Sequence, residues 1–232
     1  MRLHQNNKSL KSNDAVSIIA KCLKPRHLIK IIEKKMPNSE FNPSQTVQRC
    51  GWCSDDPLYQ TYHDNEWGRP QHDPIKLFEK ICLEGQQAGL SWITVLRKRE
   101  HYRKRFFNFE PVKVAALTDE DLAELVTDAG LIRHIGKLSA IRDNAKAYLA
   151  LQAQGIDFAE WTWSFVGGKS IVHQFKSYRE APTKTAESLA LSKALKKSGF
   201  RFVGETTCYA FMQAMGMVND HEVGCDARNG QV

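Results

Sequence analysis

The residues best suited to chemistry lie between Cys82 and Trp92, in the run CLEGQQAGLSW. Leu77, Ile81, Glu84 and Ala88 are spaced i, i+4, i+7 and i+11, so they share one helical stripe. Three are small or apolar and the fourth is a carboxylate, which is costly to bury without a partner. Gly89 is placed to end that helix, Ser91 to cap a new one, and Trp92 to sit at its first position. Upstream, Tyr59 and Tyr62 are i, i+3 neighbours. Two phenols, a carboxylate and an indole describe a pocket for a flat, polar ring that can carry positive charge. The competing reading is a helix corner in which Glu84 is salt-bridged to an arginine and the aromatics are core.

A second constellation suits metal. Cys50 precedes His63 with twelve residues between them, and His221 and Cys225 form an H-x3-C pair. Two Cys and two His fit tetrahedral Zn2+ through thiolate and neutral imidazole, and four protein ligands leave no open position for water. The site would then be structural, clamping residue 50 to residue 225. Cys53 lies in a CxxC with Cys50 and competes with His63, so spacing alone leaves the ligand set open. Six cysteines scattered over 232 residues do not read as a disulfide scaffold.

Length and an apolar share of 42% give a real core. No apolar window spans a bilayer and no secretory h-region opens the chain, so a soluble, cytoplasmic protein is expected. The net charge is +7, but residues 1–48 hold nine Lys/Arg against three acids. Only one net positive charge is left for the rest, and any nucleic-acid contact must come from a local patch. Residues 1–48 read as a basic N-terminal extension and linker: helical pieces over 15–36, split by Pro25 and stopped by Pro37, then the linker 37–47. Residues 49–232 read as one all-α body. Helices are expected from Asp56-Pro57 to Gly68, Pro74 to Ala88, Trp92 to Phe107, Thr118 to Gly130, Gly136 to Ala153, Phe158 to Val166, Thr185 to Gly199, and Glu205 to Met215. The third carries an outer face of Arg97, Lys98, Arg99, Arg103, Lys104 and Arg105, usable for backbone contacts.

The segment from Lys196 to Met212 has the layout of a helix-hairpin-helix element. A helix ends at Gly199, a short turn follows, and Gly204 opens the next helix. Free N–H groups after Gly204, with the Thr206 and Thr207 hydroxyls, suit one phosphate. Lys196, Lys197 and Arg201 flank it. DAGLIRHIGK, at 128–137, is a second such corner.

Together these residues resemble the 3-methyladenine DNA glycosylase I family, within the helix-hairpin-helix glycosylases. The carrying segments are RCGW (49–52), DPLYQTYHDNEWG (56–68), LFEKICLEGQQAGLSWITVL (77–96), LSKALKKSGFRFVG (191–204) and VNDHEVGC (218–225). The resemblance implies a structural zinc on Cys50, His63, His221 and Cys225, with Cys53 a bystander. It implies a base pocket of Tyr59, Tyr62, Glu84 and Trp92, with Glu84 reading the alkylated base. Gly89 and Leu90 fall where the family presses on the duplex, and the phosphate hairpin falls on about Gly199 to Thr207, Gly204 and Thr206 included. The implied activity is hydrolysis of the N-glycosidic bond of 3-methyladenine in alkylated double-stranded DNA, by a monomer, leaving an abasic site. No lysine in the motif stands as a Schiff-base nucleophile, so no lyase step is expected. Asp220 is a candidate for positioning water. The rival readings are a zinc hydrolase, a non-enzymatic reader of damaged DNA, and a helical adaptor.

Overall fold

The computed structural model describes residues 47–230; the expected basic extension and its helices lie outside the described residues, apart from Val47 and Gln48. Ten α-helices are present among the described residues. They are α1 (Pro57–Asn65), α2 (Pro74–Gln87), α3 (Trp92–Leu96), α4 (Arg99–Arg105), α5 (Pro111–Ala115), α6 (Asp119–Leu125), α7 (Ile135–Ala153), α8 (Phe158–Ser164), α9 (Ala186–Lys197) and α10 (Glu205–Ala214). The all-α expectation needs one amendment. A two-residue parallel bridge pairs β1 (Ile171–Val172) with β2 (Val218–Asn219). Among the described residues no helix is long and apolar enough to cross a membrane.

Helix α2 is the axis of the body. Asp73 caps it by accepting from the Ile75 and Lys76 N–H groups, with Pro74 at its first position, where a missing N–H costs nothing. Leu77, Phe78, Ile81, Cys82 and Leu83 are buried in one core, and α7, α8, α10 and α3 pack around them. Its far end is fixed by Lys137 at the start of α7, whose Nζ donates to the carbonyls of Gln86 (2.9 Å) and Ala88 (2.6 Å). A cation there complements the carbonyl end of a helix. Gly89 follows at φ +77°, a left-handed conformation that glycine takes without strain. The turn it makes leaves Leu90 exposed.

Three helices are shorter than expected. The run from Trp92 splits into α3 and α4, because the Lys98 N–H closes on Val95 O three residues back. That is a tighter turn than the α-helix continues. Thr118 and Asp121 do form a capping box, but α6 stops at Leu125. The Asp128 carboxylate takes the Gly130 N–H (2.8 Å) and pairs with His101, so an Asx-type turn replaces helix. Helix α1 ends at Asn65 and turns at Gly68, φ +75°. A Cβ there would lie 2.9 Å from the His221 ring, so conformation and space both demand glycine.

Helix α9 ends in a Schellman arrangement. Phe200 N–H bonds Leu195 O, Gly199 N–H bonds Lys196 O, and Gly199 has φ +95°. Gly204 then stands at the N-cap of α10 with no side-chain cap.

Candidate functional site

Two sites share the end of the molecule where α1, α2 and the C-terminal segment meet. The first is the Cys/His cluster. Cys50, His63, His221 and Cys225 are all buried, and one donor atom of each lies within 4.8 Å of every other. Nδ1 of His221 is 3.4 Å from both sulfurs, and Nε2 of His63 is 3.5 Å from Cys225 Sγ. A tetrahedral ion with bonds of about 2.3 Å to sulfur and about 2.0–2.1 Å to nitrogen sets its N···S edges at about 3.5 Å. The far nitrogen of each ring is also committed, as in metal-binding histidines. His63 Nδ1 meets Asp64 Oδ1 at 2.8 Å and His221 Nε2 meets Trp67 O at 3.0 Å. Asp64 is in turn held by Arg49. The bonds from Cys50 and from both imidazoles pull the Cys225 thiol well down, while that same Cys225 contact and burial push Cys50 up. The cluster can hold a metal ion. Cys53 is outside it, half-buried, with its sulfur turned to Ser54 O.

The second site is a cavity of about 310 Å3, lined by Tyr59, Tyr62, Glu84 and Trp92 among others. The four pocket residues expected from the sequence thus lie together. The tyrosine rings stack at 6.5 Å, and Trp92 sits 5.5 Å from Tyr62. The Trp92 Nε1–H has no partner among the described residues. Glu84 is only 4% exposed. It is salt-bridged, as the bland reading required, but to Lys80 rather than to an arginine, with Nζ to Oε1 at 2.8 Å.

Lys80 is the residue that sequence reasoning missed. It lies one turn before Glu84 and is 5% exposed. Its Nζ donates to the Tyr62 hydroxyl at 2.9 Å and lies 3.2 Å from the Trp92 ring centre. Burial pushes this ammonium down to about 8, against the pull of Glu84. The available signal was the i, i+4 spacing to an acid already placed inward. Trp52 was also missed. It lines the cavity and contacts Tyr59, Trp67 and His63 at 4.9–5.1 Å between ring centres. It thereby joins the Cys/His cluster to the aromatic wall. Asp220 lines the cavity too, but both oxygens are taken. Oδ1 meets His173 (2.6 Å), and Oδ2 accepts from the Tyr209 hydroxyl (2.6 Å) and Gln213 (2.8 Å).

The other expected contacts lie outside the cavity. Gly89 and Leu90 form the exposed turn after α2. Gly204 and Thr206 begin α10, with Thr206 exposed. Glu205 also stands at that helix start, bonded to Lys184 at 3.2 Å, so one carboxylate already faces the free N–H groups. The basic face of 97–105 is not a free field. Arg97 pairs with Asp56, Arg99 with Glu66, Arg103 with Glu79 and Glu100, and Arg105 with Glu124 and Asp128.

A family model described as methyladenine glycosylase matches residues 52–229. DNA-3-methyladenine glycosylase 1 of Escherichia coli (strain K12) is 62% identical over 179 residues, 77% of this chain and 96% of that protein. DNA-3-methyladenine glycosylase of Haemophilus influenzae is 57% identical over 180 residues, 78% of this chain and 97% of that protein. A Staphylococcus aureus 3-methyladenine DNA glycosylase I, solved to explain its recognition of 3-methyladenine, is 38% identical with a TM-score of 0.75. That match covers 79% of this chain and 98% of the other.

Proposed function

The chain belongs to the methyladenine glycosylase family, and from that premise we infer that it is a DNA repair glycosylase releasing 3-methyladenine from alkylated DNA. The observation that carries the reading is the cavity in which a buried carboxylate, Glu84, shares walls with Trp92, Tyr59 and Tyr62.

The chemistry follows from the lesion. Methylation at N3 makes the base a cation while it is attached to the sugar. The glycosidic bond is already weak, because the base departs neutral. The enzyme must evert the nucleotide, hold the ring, and stabilise the sugar cation that forms. Trp92 would stack on the everted ring, at about 1–3 kcal/mol for a base on an aromatic plate. With Oε1 of Glu84 held by Lys80, Oε2 is the atom that would accept from the exocyclic amine. The carboxylate of Asp220, and that of Glu84 to the extent that Lys80 leaves it unbalanced, would oppose the positive charge that grows on the sugar. Lys80 does not overturn the expectation of release without strand cleavage. Its amine is bonded to Glu84 and Tyr62 and set against Trp92, which leaves no free nucleophile. The exposed Gly89–Leu90 turn would fill the gap left in the duplex. The Gly204–Thr206 helix start and Lys196 would hold the backbone in a helix-hairpin-helix manner.

The metal proposed for Cys50, His63, His221 and Cys225 is zinc, on the two-thiolate, two-imidazole donor set and its N···S spacing. With four protein ligands it is structural, and it fixes Trp52 and α1 against the C-terminal segment. We place the chain in the cytoplasm, acting as a monomer on double-stranded DNA, with residues 1–48 a separate basic extension of the body 49–232. The test is incubation with methylated duplex DNA and identification of the bases released. Free 3-methyladenine from the wild type but not from Glu84→Gln supports the reading. No release of any base refutes it.

A further inference from the structure

A positive charge stands against the residues that line the cavity before any substrate arrives. The Lys80 ammonium donates to Glu84 and to the Tyr62 hydroxyl, and presents its remaining face to the Trp92 ring. These are three of the groups that would receive an alkylated, positively charged purine. Such a purine needs a carboxylate and an aromatic face, and Lys80 already engages both.

We propose that Lys80 is a specificity-determining residue: by neutralising Glu84 it sets how strongly the cavity prefers a cationic purine over a neutral one. The inference rests on the reading of the cavity as a base site. While Lys80 is charged, it and Glu84 cancel. A cationic ring then gains little over a neutral ring of the same shape. When Lys80 gives up its proton, the carboxylate is left unbalanced and the cationic ring gains a full ionic partner. The charged groups around Lys80 bear this out. Glu84 on α2 and Glu66, just past α1, favour the ammonium, while Arg99 on α4 opposes it. Glu66 is itself paired to Arg99, and on the far side Glu79 is paired to Arg103. Burial then leaves Lys80 at about 8, inside the pH 7–9 range of the test below. Tyr62 is pushed far above that range by its own burial and does not titrate there.

The test is calorimetric titration of the full chain with two ligands from pH 7 to 9. One is 3-methyladenine, neutral over this range. The other is 3,9-dimethyladeninium, a fixed cation. For the wild type, the affinity ratio of cation to neutral base should rise about tenfold across the range, the worth of one screened charge a few ångströms away. Lys80→Met, unbranched and of similar length, should show the high ratio at every pH. Lys80→Arg, charged throughout, should keep the low ratio at every pH. A wild-type ratio that stays flat overturns the proposal, even if neither variant folds. So does a Lys80→Met ratio that tracks the wild type, or a folded Lys80→Met that binds neither ligand. If the wild type itself binds neither ligand, the base-site reading fails first and this inference with it.

Discussion

The Cys/His cluster and the cavity lie side by side, share Trp52 as a wall, and are finished in opposite ways. In the cluster every donor faces another donor, and the outer nitrogen of each imidazole is bonded. In the cavity the Trp92 Nε1–H has no partner among the described residues, and only one oxygen of Glu84 is held, by a lysine behind the wall. A fully satisfied site contributes to folding and has nothing left to offer a ligand. An incompletely satisfied site costs stability and keeps its valence for substrate. The difference teaches that the two sites fail differently when altered.

The largest effect should come from opening the closed site. Cys225→Ser removes one thiolate, and should lower stability by about 4 kcal/mol or more together with the bound metal. Metal analysis and denaturant unfolding check it. A metal-free variant as stable as the wild type would end the contrast. Next is the open site. Glu84→Gln keeps the shape and removes the charge. It should slow base release about 10²–10³-fold while duplex affinity hardly moves, with a lower melting temperature because buried Lys80 loses its ion partner. Single-turnover release and a binding titration separate the two outcomes.

The third sharpens the comparison through pH. Lys80 is held below its unfolded value, so the unfolded chain takes up its proton first and stability rises from about pH 8 toward pH 10. The buried thiols, pushed upward, work the other way over the same window. Wild type minus Lys80→Met cancels them. That difference should grow by about 2 kcal/mol over the window, and a flat difference would mean Lys80 is not strained. The smallest concerns the two basic surfaces. Replacing both Lys196 and Lys197, exposed at the end of α9, should reduce the salt slope of DNA binding by about two units at most. Replacing Arg105, already claimed by two acids, should change it less.

Much of this was legible because it depends on local order. The Asp56-Pro57 and Asp73-Pro74 starts, the Thr118–Asp121 box and the Gly199 stop are written in adjacent residues, and all four occur. The placement of Glu84 inward followed from one helical stripe. What was not legible is what meets across the fold. Whether Cys53 or His63 joins the cluster depends on which way the chain turns after Cys50. The arginines of 97–105 look free until Glu66, Glu79 and Glu124 arrive from other segments. Lys80 looks like solvent-facing filler until Tyr62 and Trp92 enclose it. The tight turn over Phe107–Phe109, with three consecutive positive φ values, has no signal beyond its buried Phe109.

Gln48 and Asp226 bond twice, Gln48 N–H to the Asp226 carboxylate at 2.8 Å and Asp226 N–H to Gln48 O at 3.0 Å. The folded body therefore starts and finishes at a single seam, beside the cluster. A circularly permuted gene that splices residue 230 to residue 47 and opens at the exposed Gly167–Gly168 turn would interrupt neither site. Order along the chain, for this body, is a matter of synthesis more than of architecture.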